Sequence, residues 1–139
     1  GKARKIAHKN PQSYILAADT VVGAGRRILD KAEDELFARK CLNTLSGRRH
    51  RVYGGIAIIT PEGKEITRLV ETLVQFKRLT KNEIDTYIAS KEWQGKAGGY
   101  AIQGLAESYI KYIKGSYSNV VGLSLYDTMN MLNGAGYLK

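Results

Sequence analysis

RVYGGIAII (residues 51–59), TPEGK (residues 60–64) and EITRLVETLVQF (residues 65–76) read, in that order, as a strand, a turn and a returning strand. Val, Ile, Tyr and Thr crowd both long runs, and Pro61 and Gly63 fall together in the short polar break, which is the pattern of a β-hairpin. Upstream, residues 14–18 form a short apolar run ending in Asp19-Thr20-Val21-Val22, which predicts a buried strand with a carboxylate at its end. Gly23-Ala24-Gly25 then predicts a turn, and residues 27–29 a short edge strand. Residues 33–45 carry Leu36, Phe37, Lys40/Cys41 and Thr44/Leu45 near one helical face, closed by Ser46-Gly47. Downstream, Thr80 followed by Glu83 has capping-box spacing and opens a helix to about residue 90. A glycine-rich loop over 95–104, a strand over 109–113, a turn over 115–119 and a last helix over 125–132 complete the chain. Helices alternate with strands, so the expected architecture is a mixed α/β domain.

The chain of 139 residues is the size of a single domain. No apolar run approaches the ~20 residues of a membrane helix, so no membrane partner is expected. The single cysteine, Cys41, has no partner within the chain and reads as a buried core thiol, which suits a cytoplasmic setting. A formal charge of +9 is spread in short clusters rather than along one groove. Such scatter argues against a specific nucleic-acid surface and leaves room for a small polyanion held by a few converging cations. Residues 2–9 read as the interior of a basic helix with no start signal before it, so the chain is expected to begin inside an element.

Few segments could carry chemistry. Asp19, at the expected strand end, can hold a divalent metal or orient water; it can equally bond the following turn. Thr20 beside it offers a hydroxyl, or is simply a β-branched strand residue. Gly23-Ala24-Gly25 fails as a dinucleotide fingerprint because position 28 is Ile28 and no helix follows. His8 and His50 are isolated and read as surface or structural histidines. KAGGYAIQG (residues 96–104) puts a lysine at the mouth of a glycine-rich loop, where backbone N–H groups can approach an anion. Gln103 in that loop carries both a donor and an acceptor for the edge of a base, though a purely structural turn would need almost the same composition.

AADTVV (residues 17–22), LSGRRHRV (45–52), KAGGYAIQG (96–104) and GSYSNVVGLSL (115–125) match, in order and spacing, the landmarks of the Maf proteins, also called septum formation inhibitors. The resemblance spans essentially the whole chain. It implies an elongated, inosine-triphosphatase-like α/β fold: a mixed twisted sheet flanked by helices around a central cleft, in a single domain and commonly a homodimer. It also implies hydrolysis of a nucleoside triphosphate between the α and β phosphates, with magnesium or manganese as the divalent metal. Asp19 matches the family's catalytic and metal-binding acid. Lys2 and Lys31 match its phosphate-facing lysines, and Thr20 and Gln103 match positions tied to substrate choice. Lys96 joins them as an anion-binding group of the glycine-rich loop. The Thr and Gln pairing resembles the subgroup acting on dTTP and UTP.

An ordinary aspartate, with a pKa near 3.9, is a weak base at neutral pH, so Asp19 working with a metal is the more effective water activator. Three departures stand out. The family's opening strand and Ser-x-Ser-Pro-Arg-Arg loop are expected to be missing, Ala32 stands where proline follows the lysine, and Ser124 stands where proline is usual. The competing expectation is a non-catalytic nucleotide-binding protein acting in septum formation. A general nucleic-acid binder rests on charge alone.

Overall fold

The computed structural model describes residues 13–137. Lys2 and the expected helix over 2–9 lie outside the described residues.

The hairpin at the centre of the sequence is the centre of the fold. β3 (Arg49–Ile59) and β4 (Glu65–Phe76) pair antiparallel through eleven consecutive positions, from Arg49↔Gln75 to Ile59↔Glu65. β1 (Ile15–Ala24) lies on the other side of β3, and β2 (Arg27–Leu29) folds back onto the last three residues of β1. β5 (Ile110–Lys114) closes the far edge, giving the order β2-β1-β3-β4-β5. The α/β class holds. Every pairing among the described strands is antiparallel, where a mixed sheet was expected. β1–β2 and β3–β4 are joined by tight turns, while the links from β2 to β3 and from β4 to β5 carry helices and still return the chain antiparallel.

Helices cover one face. α1 (Glu35–Leu45) starts two residues later than expected, because Asp34 Oδ1 accepts from Phe37 N at 2.7 Å and fixes the N-cap there. Its buried face is Ala38, Cys41, Leu42 and Leu45, whereas Leu36, expected on the core side, is 79% exposed. Burial pushes the Cys41 thiol up to about 11, as befits a core side chain. α2 (Lys81–Ser90) has the reciprocal capping box: Thr80 Oγ1 accepts from Glu83 N, and Glu83 Oε1 accepts from Thr80 N. A short 3-10 helix (Leu105–Tyr109) leads into β5.

The expected turn over 115–119 is instead the start of a helix, α3 (Tyr117–Val121), because Ser116 Oγ accepts from Asn119 N at 3.1 Å. Asn119 is buried and donates to Val52 O, Val70 O and Thr72 Oγ1, which ties α3 onto β3 and β4. A side chain at Gly54 would overlap the Asn119 amide, so that position must be glycine. α4 (Leu125–Gly134) is capped by Ser124, whose Oγ accepts from Asp127 N at 3.4 Å while its hydroxyl donates to Asp127 Oδ2 at 2.7 Å; the serine that replaces a proline thus caps the helix here.

The main core lies between α1, α2 and the half of the sheet containing Val22, Val52, Val74 and Phe76. A smaller cluster packs Met131 of α4 on Ile56 and Ile58. Between these two clusters, near the middle of β1, Ala18 and Asp19 are exposed.

Candidate active site

β1 was expected to be a buried strand over residues 14–22 with the Asp19 carboxylate at its end. It runs on to Ala24, and Asp19 and Ala18 are exposed. β2 pairs only Val22, Gly23 and Ala24, so among the described strands residues 15–21 have no partner on that side. Asp19 therefore reaches solvent from the middle of a strand edge, not from a strand's C-terminal end. Its Oδ1 accepts from the neighbouring Thr20 N at 3.0 Å. On the other side the backbone is locked by pairing to β3, Asp19 opposite Gly55 and Thr20 opposite Gly54.

Continuing the β1–β2 register by two residues would bring Lys31 opposite Thr20. Instead the chain leaves the ladder and Lys31 bridges to Ala97. Ala32 N donates to Lys96 O at 3.0 Å and Gly95 N donates to Ala32 O at 2.8 Å, stitching the segment after β2 to the glycine-rich loop. The first of these bonds needs the N–H that Ala32 has and a proline would lack. Lys31 and Lys96, 65 positions apart in sequence, are thereby carried by directly bonded backbone segments.

The result is one open cleft of about 590 Å³, whose lining includes Asp19, Thr20, Lys31, Lys96 and Gln103. Val22, Val52 and Tyr100 give it an apolar floor, and Val120 of α3 lies along one side. Asp19 and Lys31 also border two adjoining depressions of about 370 and 600 Å³, so they stand at a junction of surface channels. Among the described residues, the lining contains three lysines (Lys31, Lys91 and Lys96) against two carboxylates (Asp19 and Glu92). Lys91 and Glu92 had no signal in the sequence. Lys91 has left-handed backbone, φ +61°, as the C-cap of α2, and no other non-glycine among the described residues has a positive φ.

The glycine-rich loop is built differently from its sequence reading. Gly98 and Gly99 are buried, with φ +73° and +76°. A Cβ on Gly98 would lie 2.9 Å from Val22 Cγ1, and one on Gly99 would lie 3.1 Å from Cys41 Cβ. Their N–H groups go to protein carbonyls: Gly98 N to Leu29 O, Gly99 N to Lys96 O. These glycines permit close packing of the loop on β1 and α1, and do not form an anion cradle. Tyr100 anchors the same loop from beneath. Its hydroxyl and His50 Nε2 lie 2.6 Å apart in the core, with the Phe76 ring edge-on to both. Burial pushes His50 down to about 4, so it is a neutral structural histidine.

Among the described residues, no three His, Cys, Asp or Glu side chains gather into a metal cage. Magnesium does not require one: it keeps several waters and takes one or two carboxylates together with substrate phosphates. The exposed Asp19 carboxylate fits that donor set. No helix among the described residues is long and apolar enough to cross a membrane.

Fold and cleft define a class: an α/β domain with a solvent-open, lysine-flanked cleft beside β1 of its sheet. Within that class the chain belongs to the Maf family, since the family of Maf-like proteins matches residues 1–135. It is similar to the dTTP/UTP pyrophosphatase of Paramagnetospirillum magneticum, at 60% identity over 136 residues, covering 98% of this chain and 72% of that one. The dTTP/UTP pyrophosphatase of Caulobacter vibrioides is 57% identical over 136 residues, covering 98% and 70%. That of Mesorhizobium japonicum is 61% identical over 125 residues, covering 90% of this chain and 60% of the relative.

Proposed function

We propose that this chain forms the catalytic cleft of a nucleoside triphosphate pyrophosphatase that hydrolyses dTTP and UTP to the monophosphate and pyrophosphate. The observation that carries the reading is the convergence of Asp19, Thr20, Lys31, Lys96 and Gln103, from three separate segments, on one cleft. High identity to relatives named dTTP/UTP pyrophosphatases supports it.

In this reading the Asp19 carboxylate accepts a hydrogen bond from the attacking water and holds it in line with the α-phosphorus. Held on a paired strand, it presents that acceptor with little reorganisation. Lys31 and Lys96 offset the negative charge that grows on the departing pyrophosphate. The Thr20 hydroxyl is available to a phosphate or sugar oxygen. The Gln103 amide accepts from N3–H of uracil or thymine and donates to an adjacent carbonyl. A magnesium or manganese ion held by Asp19 would, when bound, lower the pKa of a bound water and neutralise phosphate charge. The same reading takes the enzyme to be a cytoplasmic homodimer, in keeping with a buried free thiol that needs no oxidising compartment.

The test is pyrophosphate release by the full-length protein from a panel of eight nucleoside and deoxynucleoside triphosphates with magnesium. The expected result is turnover of dTTP and UTP well above the purine nucleotides. Absence of pyrophosphate release, or preference for a purine, would overturn the proposal.

A further inference from the structure

A carboxylate left lining a cleft for a polyanion repels its ligand unless it is spent on something else. Glu92 is such a group: it lines the cleft together with Gln103 and is half-buried. Its Oε1 accepts from Leu105 N at 3.0 Å, two residues beyond Gln103. Leu105 opens the short 3-10 helix, and Gly104 before it supplies no side-chain cap. Glu92 is therefore a cap delivered from thirteen residues away, and a charged acceptor makes that bond stronger than a neutral one. The fit is reciprocal, because a Cβ on Gly104 would overlap Glu92 Oε1 and Gly104 has φ +143°. The mount of Glu92 is itself firm. Its backbone N donates to Ser90 Oγ at 3.2 Å, Lys91 before it caps α2, and the next residue, Trp93, donates from its indole to Ile88 O at 2.9 Å.

We propose that Glu92 is a positioning residue for base selection: by clamping Gly104–Leu105 it fixes where Gln103 presents its amide in the cleft. The inference rests on the nucleotide reading above. Gln103 is exposed, and its neighbouring backbone needs an anchor if the amide is to meet one base edge in one place. Glu92 supplies that anchor through its bond to Leu105 N, two residues beyond Gln103.

The experiment compares Glu92→Gln, Glu92→Asp and Glu92→Ala in the full-length protein. Three readouts are needed: kcat/KM for UTP, the UTP-to-CTP ratio of kcat/KM, and inhibition by inorganic tripolyphosphate, which carries phosphates and no base. Glu92→Gln keeps an oxygen of the right reach and should stay within about threefold of wild type. Glu92→Asp is one methylene short, and with Glu92→Ala should lose about tenfold in kcat/KM for UTP, as expected for one lost hydrogen bond to a charged acceptor. The UTP-to-CTP ratio should fall in both, while tripolyphosphate inhibition stays within about twofold. An unchanged ratio, or a tripolyphosphate constant that moves in step with UTP, would overturn the proposal. If Glu92→Ala does not fold, the Gln and Asp pair decides it. Wild-type protein is assayed first: no release from UTP there defeats the nucleotide reading itself, whereas active wild type with an indifferent Glu92 defeats only this inference.

Discussion

The two walls of the cleft are held in place by different means. On one side, β1 presents Ala18, Asp19 and Thr20 from a strand paired to β3 at nine consecutive positions. Ala18 and Asp19 are exposed, Thr20 is half-buried, and the backbone beneath them is regular. On the other side, residues 91–103 follow no ladder. That wall is held by left-handed glycines pressed on Val22 and Cys41, by stitches to Leu29 and Ala32, and by Tyr100 on His50. A paired strand fixes a side chain through local regularity. An irregular loop fixes it through contacts scattered over the chain, each replaceable only at a cost. The strand wall should therefore fail chemically when a side chain changes, and the loop wall should fail structurally.

Asp19→Asn tests the first half and carries the largest expected effect. The change keeps shape on an exposed strand position, so stability should be unaltered while kcat falls at least ~10²-fold, as expected when the acceptor that orients water loses its charge. Activity within threefold of wild type would assign the role to another group. For the loop wall, Gly98→Ala should destabilise the protein by about 2–3 kcal/mol, combining left-handed strain with overlap on Val22. Gly25→Ala is the control: it has φ +61° but nothing within 4 Å of a Cβ, so about 1 kcal/mol is expected. Urea midpoints for the pair read the difference. A Gly98→Ala protein of normal stability but poor nucleotide binding would restore the anion-cradle reading.

A further effect is a pH dependence. Folded His50 stays neutral down to about pH 4, while in the unfolded chain it protonates near 6.5. Acid then favours the unfolded chain, so this contribution is complete above pH 6.5 and is lost progressively toward pH 4. At pH 5 it should amount to about 2 kcal/mol relative to pH 7. Replacing His50 by Gln should remove that part of the slope between pH 7 and 5. An identical slope in the variant would mean that other groups set the acid sensitivity.

Elements signalled by neighbouring residues were legible in the sequence. The 60–64 turn with its two strands, the Thr80–Glu83 capping box and the last helix each depend on contacts within a few positions. What was misjudged depends on distant partners. Asp19 looked like a strand end because nothing in residues 14–22 reports that the strand runs on to Ala24, where β2 folds back on it. Leu36 looked buried until Asp34 set the helix start. The glycines of KAGGY looked open because Val22 and Cys41, which crowd them, lie 76 and 58 positions away in sequence. Glu92 gave no sign, since its partner Leu105 lies thirteen positions away and opens a 3-10 helix that no local signal announced.

The most direct test of a single cleft spanning both walls is titration of the ¹⁵N-labelled full-length protein with a dTTP analogue whose α–β bridge cannot be cleaved, with magnesium present. Amide signals of Asp19 and Thr20 on the strand, and of Lys96 and Gln103 on the loop, should move together along one binding curve. Shifts confined to one wall, or two curves with different Kd values, would contradict the account.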